Sequence, residues 1–349
     1  MITRLSPIAA YREGLRRVTG APWMWLGAWL ATLLVAVPAA MVVREMIADH
    51  LGASLVAERV AAGVDVDWWQ EFRAQASGLG ATFVPAIVGG AAVLKNLSDL
   101  ADNARMETAA AGLVAVWLLV WSFFAGGVLD RYARGRAMRA AEFFAACGTH
   151  AGRLLRLGAL AFLAYYVLFA HVYGWLFGQG LYATWTRDTT VERRAFVAHL
   201  LFQVVFFALV ALVNLLVDYA RVRLVVEDRR SAVFALVSAA RFVRRHATGT
   251  VALYLLNTAG FLVLATLYAF AAPGAGRTGW TLWITALVGQ AYVAARLGVK
   301  LGFYASQVAY FQGALAHAGY AAAALPEWPE SPAVEAARGE PDPTPPSPS

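Results

Sequence analysis

FVAHLLFQVVFFALVALVNLLV, the stretch from Phe196 to Val217, is 22 residues long and contains no Asp, Glu, Lys or Arg. A helix rises about 1.5 Å per residue, so about 20 apolar residues cross the roughly 30 Å hydrocarbon core of a bilayer. A backbone exposed to lipid must satisfy its own hydrogen bonds, as a helix does, whereas barrel strands give short alternating segments. The stretch therefore predicts one membrane-spanning helix.

Five further runs of this kind occur in a chain that is 60% hydrophobic and only 15% charged. A composition this apolar lies outside the usual range for a water-soluble globular domain. The six predicted spans are 21–43, 108–129, 157–177, 196–217, 250–272 and 279–299. The predicted fold class is therefore all-α, a polytopic membrane protein with six transmembrane helices.

The basic residues are distributed unevenly among the connections between these spans. Residues 1–20, 130–156 and 218–246 together contain 17 Lys and Arg, whereas the other three connections contain nine. Cytoplasmic loops of membrane proteins carry the excess of Lys and Arg. Both termini and both basic connections are therefore predicted to be cytoplasmic. The preference for arginine over lysine fits a GC-rich bacterial genome, and hence a bacterial inner membrane.

The sequence also divides the chain into segments. We predict an amphipathic N-terminus at 1–20 and a membrane domain at 21–325, which includes an external loop at 44–107 with two or three short helices. Residues 79–94 are uncharged, but Pro85 and three glycines interrupt them. A helical or re-entrant piece of the external loop is therefore favoured there over a seventh span.

The chain continues well beyond its last predicted span. Residues 301–325 carry no formal charge, and they are predicted to form a helical extension that packs on the elbows or lies at the interface. Residues 326–349 contain eight of the 13 prolines. This tail is predicted to be disordered.

The motif Tyr-Ala-Arg-x-Arg occurs twice, as YARGR at Tyr132–Arg136 and as YARVR at Tyr219–Arg223. A helix that leaves lipid favours a tyrosine at headgroup depth and arginines that extend to the phosphates. We therefore predict three helical hairpins, joined by cytoplasmic amphipathic elbows at 130–156 and 218–249. Internal duplication explains the repeat, and so does convergence on the same interface chemistry.

Six arginines of these elbows are candidates for contact with anionic headgroups, although such clusters also act as topology signals. They are Arg134, Arg136, Arg221, Arg223, Arg244 and Arg245. Asp130 and Asp218 lie about one turn before Arg134 and Arg221, so local ion pairs are expected. The basic residues form no single basic domain, which argues against nucleic acid as a partner.

No pattern in the sequence indicates catalysis. P-loop, GxSxG, HExxH and CxxC motifs are absent. The six histidines lack the spacing of metal ligands, and Cys147 is the only cysteine. We therefore predict no catalytic residue, no metal site, no cofactor and no enzymatic activity.

No Asp, Glu, Lys or Arg lies at the middle of a predicted span, and Lys300 is expected at the inner interface, 20 residues after Trp280. Neutral polar residues remain within the spans. They either join helices by hydrogen bonds or line a substrate path. These candidates are His171, Gln203, Asn214, Asn257 and Gln290.

The segment LLVDYARVRLVVEDRRSAVFALVSAARFVRRH, Leu215–His246, carries a resemblance when it is taken with the six spans and the long first loop. The pattern resembles a broad group of uncharacterised bacterial integral membrane proteins. It is most similar to the membrane domain fused to some glycerophosphoryl diester phosphodiesterases. The phosphodiesterase barrel is absent, so the resemblance implies an architecture and an association with lipid, and no catalytic residues.

These features predict a non-catalytic scaffold or accessory protein of the envelope. Its expected partners are membrane lipids, including anionic headgroups, and a protein bound through the outer loop or the tail. The alternative is a transporter or lipid-handling protein with a substrate path between the hairpins. A scaffold predicts a packed bundle without a continuous polar cavity, whereas a transporter predicts a cavity that reaches His171, Asn257 or Gln290.

Overall fold

A computed structural model of the chain describes residues 5–63, 65–84, 89–178, 180–187, 190–272 and 279–315. Within these ranges every regular element is helical, which confirms the all-α fold class. A 3-10 turn at Gly80–Thr82 and a π-helical turn at Val167–Val172 accompany the α-helices. The α-helices are α1 Pro7–Thr19, α2 Pro22–Leu51, α3 Val56–Ala62, α4 Val66–Gln75, α5 Gly89–Ala101, α6 Thr108–Arg134, α7 Ala140–Tyr166, α8 Tyr173–Phe177, α9 Leu181–Thr186, α10 Glu192–Val226, α11 Ala232–Arg245, α12 Ala247–Ala271 and α13 Trp280–Ala314.

Six helical stretches in the described ranges are long and apolar enough to cross a membrane. They are α2, α6, α7 with its continuation through α9, α10, α12 and α13, and each covers one of the six predicted spans to within one residue. Two of them, α10 and α13, are 35 residues long. At about 1.5 Å per residue each exceeds 50 Å, so both extend well beyond the hydrocarbon core.

The buried core lies at one end of the bundle, where α6 ends, α7 begins and α11 joins α10 to α12; we call this the elbow end. In α6 the buried residues lie between Trp121 and Ala133, and in α13 between Leu297 and Phe311. Towards the other end the spans expose large apolar side chains, such as Phe270 at 88% and Leu287 at 70%. Large apolar side chains of this kind are compatible with direct contact with lipid acyl chains.

Helix α1 is part of this core because it packs along α13. Its Ala10 and Val18 are buried, and a Cβ atom placed on Gly14 would lie only 2.7 Å from the backbone nitrogen of Ser306. The predicted amphipathic N-terminus therefore docks on the last helix of the bundle.

Arg17 fixes the docked position of α1 through polar contacts. Its Nη1 donates to the backbone oxygen of Tyr132 at 2.7 Å and to Oε1 of Gln312 at 3.2 Å. Gln312 in turn donates from Nε2 to the backbone oxygen of Ala133 at 2.8 Å. The last carbonyls of a helix have no intrahelical donor, so these contacts satisfy groups that the end of α6 leaves open.

The tyrosines of the repeated motif do not lie where the sequence predicted. Tyr132 and Tyr219 are both 0% exposed, so neither anchors a helix in the headgroup layer. Tyr132 is in the last turns of α6, while Tyr219 is inside α10, which continues to Val226. The prediction was wrong because helices from distant parts of the chain close over both rings at the elbow end.

The two predicted elbows also differ from each other. Between 218 and 249 a separate amphipathic helix, α11, begins where the Ser231 side chain accepts a hydrogen bond from the backbone N–H of Phe234. Between 130 and 156 the structure has no separate elbow helix. Instead, α6 ends at the left-handed Gly135, and α7 runs without a break from Ala140 into the span. No proline interrupts that run, so nothing stops the helix.

The packing of the spans supports only part of the hairpin scheme. Helices α12 and α13 contact each other as the third predicted hairpin requires. Helix α6, however, packs more extensively on α7 than on its predicted partner α2, of which only Ala28 is buried. The arrangement as three hairpins therefore stays a prediction.

The loop at 44–107, whose external position stays a prediction, contains α3, α4 and α5. Trp68 and Phe72 of α4 are buried, and Trp68 Nε1 donates to Nδ1 of His50 at 3.1 Å. Helix α5 packs on α12. Residues 85–88 lie outside the described residues, so a re-entrant path for 79–94 stays a prediction.

The extension predicted after the last span is continuous with it. Helix α13 reaches Ala314, and Phe311 packs on Phe242 of α11 with ring centroids 5.0 Å apart. The described part of the extension therefore packs on α11. The rest of the extension, 316–325, and the tail, 326–349, lie outside the described residues.

Candidate functional site: a charged cluster inside the bundle

Three charged residues from two helices meet inside the bundle, although the sequence predicted no such site. Asp218 and Arg221 come from α10, and Lys300 comes from α13. Around them lie Trp117 and Trp121 of α6, with Tyr304 and Gln307 of α13. We call these seven residues the charged cluster.

Both carboxylate oxygens of Asp218 accept hydrogen bonds. Arg221 donates from Nη1 to Oδ1 at 2.9 Å, which confirms the predicted local ion pair. Gln307 donates from Nε2 to Oδ2 at 3.1 Å, and this contact joins α10 to α13. Only 14% of the Asp218 side chain is exposed. A buried carboxylate is tolerated when it is paired and hydrogen-bonded in this way.

Lys300 is held by aromatic rings. Its Nζ lies 3.8 Å from the ring centroid of Trp121 and 4.2 Å from that of Trp117. The two indoles stack with centroids 5.7 Å apart, and Trp121 Nε1 donates to the Tyr304 hydroxyl at 2.9 Å. Cation–π contacts contribute roughly 0.5–2 kcal/mol, and more when water is excluded.

The sequence predicted Lys300 at the inner interface, and this depth stays a prediction. Trp117 and Trp121, on which it packs, lie near the middle of α6. Helix α13 continues for 14 residues beyond Lys300, to Ala314, and packs along its neighbours. The Lys300 side chain therefore lies between helices.

The charged cluster carries a formal charge of +1, because two cations face one carboxylate. No carboxylate lies within 4.0 Å of the Lys300 ammonium among the residues that the structure describes. Such an arrangement can lock helices together or attract an anion. It offers no nucleophile with an adjacent base, and in the described ranges no group of three or more His, Cys, Asp or Glu could hold a metal ion.

A second polar contact lies one helical turn away on α10. Tyr165 of α7 donates a hydrogen bond from its hydroxyl to Oδ1 of Asn214. Asn214 was one of the predicted polar positions, and it joins α7 to α10 next to the charged cluster.

The other four predicted polar positions lie apart from the cluster and from each other. Asn257 donates from Nδ2 to Oγ of Ser306 at 3.1 Å, and Trp29 donates from Nε1 to Oε1 of Gln290 at 3.0 Å. Gln203 donates from Nε2 to the backbone oxygen of Ala101 at 2.9 Å.

His171 is exposed within the π-helical turn, where its ring contacts the edge of Tyr166. The predicted polar positions therefore do not converge on one path.

Four of the six candidate headgroup arginines pair with carboxylates within the protein. Arg134 contacts Asp130 at 2.8 Å, as predicted, and Arg136 contacts Glu142 at 3.6 Å. Arg221 belongs to the charged cluster, as described above.

Arg223 is buried, pairs with Glu227 at 3.0 Å and lies over the Phe311 ring. Arg244 and Arg245, in the last turn of α11, are exposed. Of the six, these two are the most available to lipid.

The charged cluster has a sequence signal that was overlooked. Trp117 and Trp121 are four residues apart, and Lys300, Tyr304 and Gln307 follow at intervals of four and three. Residues with this spacing share one helix face. Two such faces, one aromatic and one polar, are candidates to pack together.

No protein-family model matches the chain, and neither do the curated proteins or the solved structures. The fold and the polar interior therefore define the class of the protein, a multi-pass α-helical membrane protein, and no family is assigned.

Proposed function

We propose that the protein is a non-catalytic scaffold or accessory protein of a bacterial inner membrane, with both termini in the cytoplasm. It contacts anionic headgroups through exposed arginines such as Arg244 and Arg245, and it binds a protein partner through the external loop or the tail. The resemblance to the membrane domain fused to some glycerophosphoryl diester phosphodiesterases is part of this proposal. It supports the architecture and the association with lipid.

The observation that carries the proposal is the pairing of the polar groups of the spans across helix interfaces. Asn257 bonds Ser306, Gln290 bonds Trp29, and Asn214 bonds Tyr165. Polar side chains that join transmembrane helices in this way stabilise a fixed arrangement. A substrate path requires polar groups that are free to exchange partners, so the pairing favours a structural role.

A photo-crosslinking experiment in cells tests the scaffold role. A photoreactive amino acid replaces Leu55, which is 84% exposed in the external loop, or Phe270, which is 88% exposed at the end of α12. We expect a discrete protein adduct from position 55 and none from position 270, which faces lipid. Absence of a protein adduct from position 55, and from further exposed positions of the loop and the tail, contradicts the role.

The alternative, a transporter or lipid-handling protein, is favoured by one observation. Lys300 is an interior cation without a carboxylate within 4.0 Å among the described residues, and ionisable groups inside a membrane bundle are typical of substrate paths. An anionic substrate is the ligand that this charge would attract.

Reconstitution distinguishes the two functions. The purified full chain in vesicles is compared with Lys300→Met, using dyes for pH and membrane potential and a radiolabelled anionic phospholipid for transbilayer movement. A scaffold gives no flux above empty vesicles. Flux that is lost in Lys300→Met, and that Gln290→Leu and Asn257→Leu also reduce, establishes the alternative and overturns the proposal.

A further inference from the structure

A groove with a volume of about 430 Å³ lies at the elbow end, between the start of α2, the end of α6 and the start of α7. Ligand sites in proteins commonly have volumes of roughly 300–1,000 Å³. The walls of the groove are almost entirely apolar, with Gly27, Phe124 and Phe144 among the lining residues. Arg131 is the single charged residue that lines it.

Arg131 differs from every other arginine that is shielded from solvent in the described part of the chain. Among the described arginines, six are not exposed: Arg17, Arg131, Arg153, Arg221, Arg223 and Arg229. Five of these have a carboxylate within ion-pair distance, and Arg131 has none among the described residues. Arg17 and Arg136 also act on it electrostatically, although each pairs with a carboxylate of its own. A shielded guanidinium that lacks a carboxylate is stabilised by an anion.

The groove also lies at the depth where a membrane lipid would meet it. It begins at Pro22 and Trp23, the first residues of a span, and Trp23 is 80% exposed. Tryptophan is enriched at the membrane–water interface. From Arg131 to Phe124 is seven residues of α6, which corresponds to about 10 Å along the helix axis. One end of the groove is therefore cationic and interfacial, and the other is aromatic and deeper.

The first residue of α7 contributes to the cationic end. Ala140 lines the groove, and no side chain caps the N-terminus of this 27-residue helix. The first N–H groups of a helix lack intrahelical acceptors and carry partial positive charge. They add to the attraction that Arg131 exerts on a phosphate. Glu142, the acidic residue of the first turn, is paired with Arg136.

We propose that this groove binds one anionic glycerophospholipid, with its phosphate at Arg131 and the start of α7 and one acyl chain extending past Phe124 and Gly27. Zwitterionic lipids bind more weakly because their cationic headgroup amine meets the guanidinium of Arg131, which has no carboxylate partner among the described residues. The site does not depend on the scaffold role, since a scaffold, a transporter or a protein of another kind can retain a lipid here.

Native mass spectrometry of the full chain tests the proposal. The purified protein is titrated with phosphatidylglycerol or phosphatidylcholine of identical acyl chains in an uncharged detergent, and the occupancy of the first bound lipid is measured. We expect phosphatidylglycerol to bind at least fivefold more tightly. Arg131→Gln should weaken its binding about tenfold, because one charge-assisted contact with phosphate is lost. Arg131→Lys should retain part of the affinity.

Two further variants separate this site from general surface charge. Arg241→Gln removes an equal charge from an exposed position on α11 and should leave the first binding event unchanged. Ala140→Trp retains Arg131 but fills the groove from an exposed position, and it should also abolish tight binding. The thermal unfolding of each variant is compared with that of the native chain to check that the variant is folded.

Several outcomes overturn the proposal. Equal affinity for both lipids shows that the groove does not select anionic headgroups. Equal losses of affinity in Arg131→Gln and Arg241→Gln show that general surface charge binds the lipid. Displacement by millimolar inorganic phosphate, or normal binding by Ala140→Trp, shows an anion site without an acyl-chain groove. If Arg131→Gln does not fold, Ala140→Trp and the comparison of the two lipids decide the question.

Discussion

At the scale of single residues, Asp218 connects the two longest helices. It accepts from Arg221 on its own helix and from Gln307 on α13, so both of its oxygens are used. Its removal leaves a partly shielded guanidinium without its carboxylate. The loss of one partner of a buried pair costs more than the pair contributes, because the remaining charge stays desolvated.

Asp218→Asn is therefore expected to destabilise the protein by about 1–3 kcal/mol. The measurement is the unfolding midpoint in detergent, followed by tryptophan fluorescence. Asp99→Asn is the matched control, because Asp99 pairs with Lys95 on α5 and both side chains are more than 40% exposed. Such surface pairs contribute roughly 0–1 kcal/mol. Equal midpoints for the two variants would contradict the role assigned to Asp218.

Buried tyrosines give a second prediction at this scale. The hydroxyl of Tyr219 has no hydrogen-bond partner among the described residues, whereas that of Tyr304 accepts from Trp121. A buried hydroxyl without a partner costs about 1–3 kcal/mol, and a satisfied one contributes about 1 kcal/mol.

Tyr219→Phe should thus raise the unfolding midpoint or leave it unchanged, and Tyr304→Phe should lower it. The two variants make the same chemical change in equally buried rings. A large loss of stability in Tyr219→Phe would show that its hydroxyl has a bound water or another partner.

At the scale of elements, α1 is the helix whose position depends most on close contact. Gly14 allows its backbone to approach that of Ser306 on α13, where a Cβ atom would meet Ser306 N at 2.7 Å and Cα at 2.8 Å. These are backbone atoms of a long helix, so they cannot move aside cheaply. The absence of a side chain at Gly14 is therefore a condition for docking.

Gly14→Ala is expected to displace α1 and to destabilise the protein by about 1–3 kcal/mol, as overpacking does. Limited proteolysis near Arg16 and Arg17 reports the displacement. Gly112→Ala on α6 is the control, since nothing lies within 4 Å of its added Cβ atom, and alanine favours a helix. Slower cleavage in Gly14→Ala than in the native chain would contradict the docked position.

The ion pairs of α1 make its docking dependent on pH. Burial alone would raise the pKa of Glu13, but hydrogen bonds and charge from Arg17 and Arg16 outweigh burial and hold the pKa below its usual value. Because the folded state lowers this pKa, Glu13 stabilises the fold above the ordinary glutamate value of about 4.3. That contribution is lost as the pH falls through the lower folded value.

The difference in unfolding midpoint between the native chain and Glu13→Gln should therefore be constant above about pH 5 and shrink at about pH 4 and below. Thermal unfolding across a pH series measures it. A difference that increases on acidification would reverse the sign and refute the assignment.

The elements also show what the sequence can and cannot predict. Each span follows from length and apolarity alone, and α11 follows from a capping serine before an amphipathic run. The continuous α7 and the burial of Tyr132 and Tyr219 could not be read from composition. Both depend on which helices pack at the elbow end, and this is set by contacts between residues far apart in the chain, such as Arg17 with Gln312.

At the scale of the whole molecule, the same limit applies to the candidate site. The pair formed by Asp218 and Arg221 was predictable because its members lie within one helical turn. The spacing of Trp117 and Trp121 predicts that they share a helix face, but not that Lys300 packs on it. That contact joins residues about 180 positions apart and depends on how far α13 is shifted along α6. No single span has a charge at its middle, whereas the structure brings charged residues together between helices.

Orientation in the membrane gives the prediction for the whole molecule. In a Cys147→Ala background, single cysteines replace Ser54 in the external loop or Arg139 at the elbow end, both of which are exposed. A membrane-impermeant maleimide should label position 54 in intact spheroplasts and position 139 only after permeabilisation, because basic connections remain in the cytoplasm. The reverse labelling pattern would show that the bundle has the opposite orientation in the membrane.

The docking of α1 on α13 has a consequence for biosynthesis. Ribosomes deliver the chain from its N-terminus, so the first helix to emerge must wait until the last one has been translated before its buried face is covered. Meanwhile its apolar face rests on the bilayer surface. A nascent polypeptide truncated before residue 300 therefore leaves that face uncovered and the carboxylate on α10 without its glutamine.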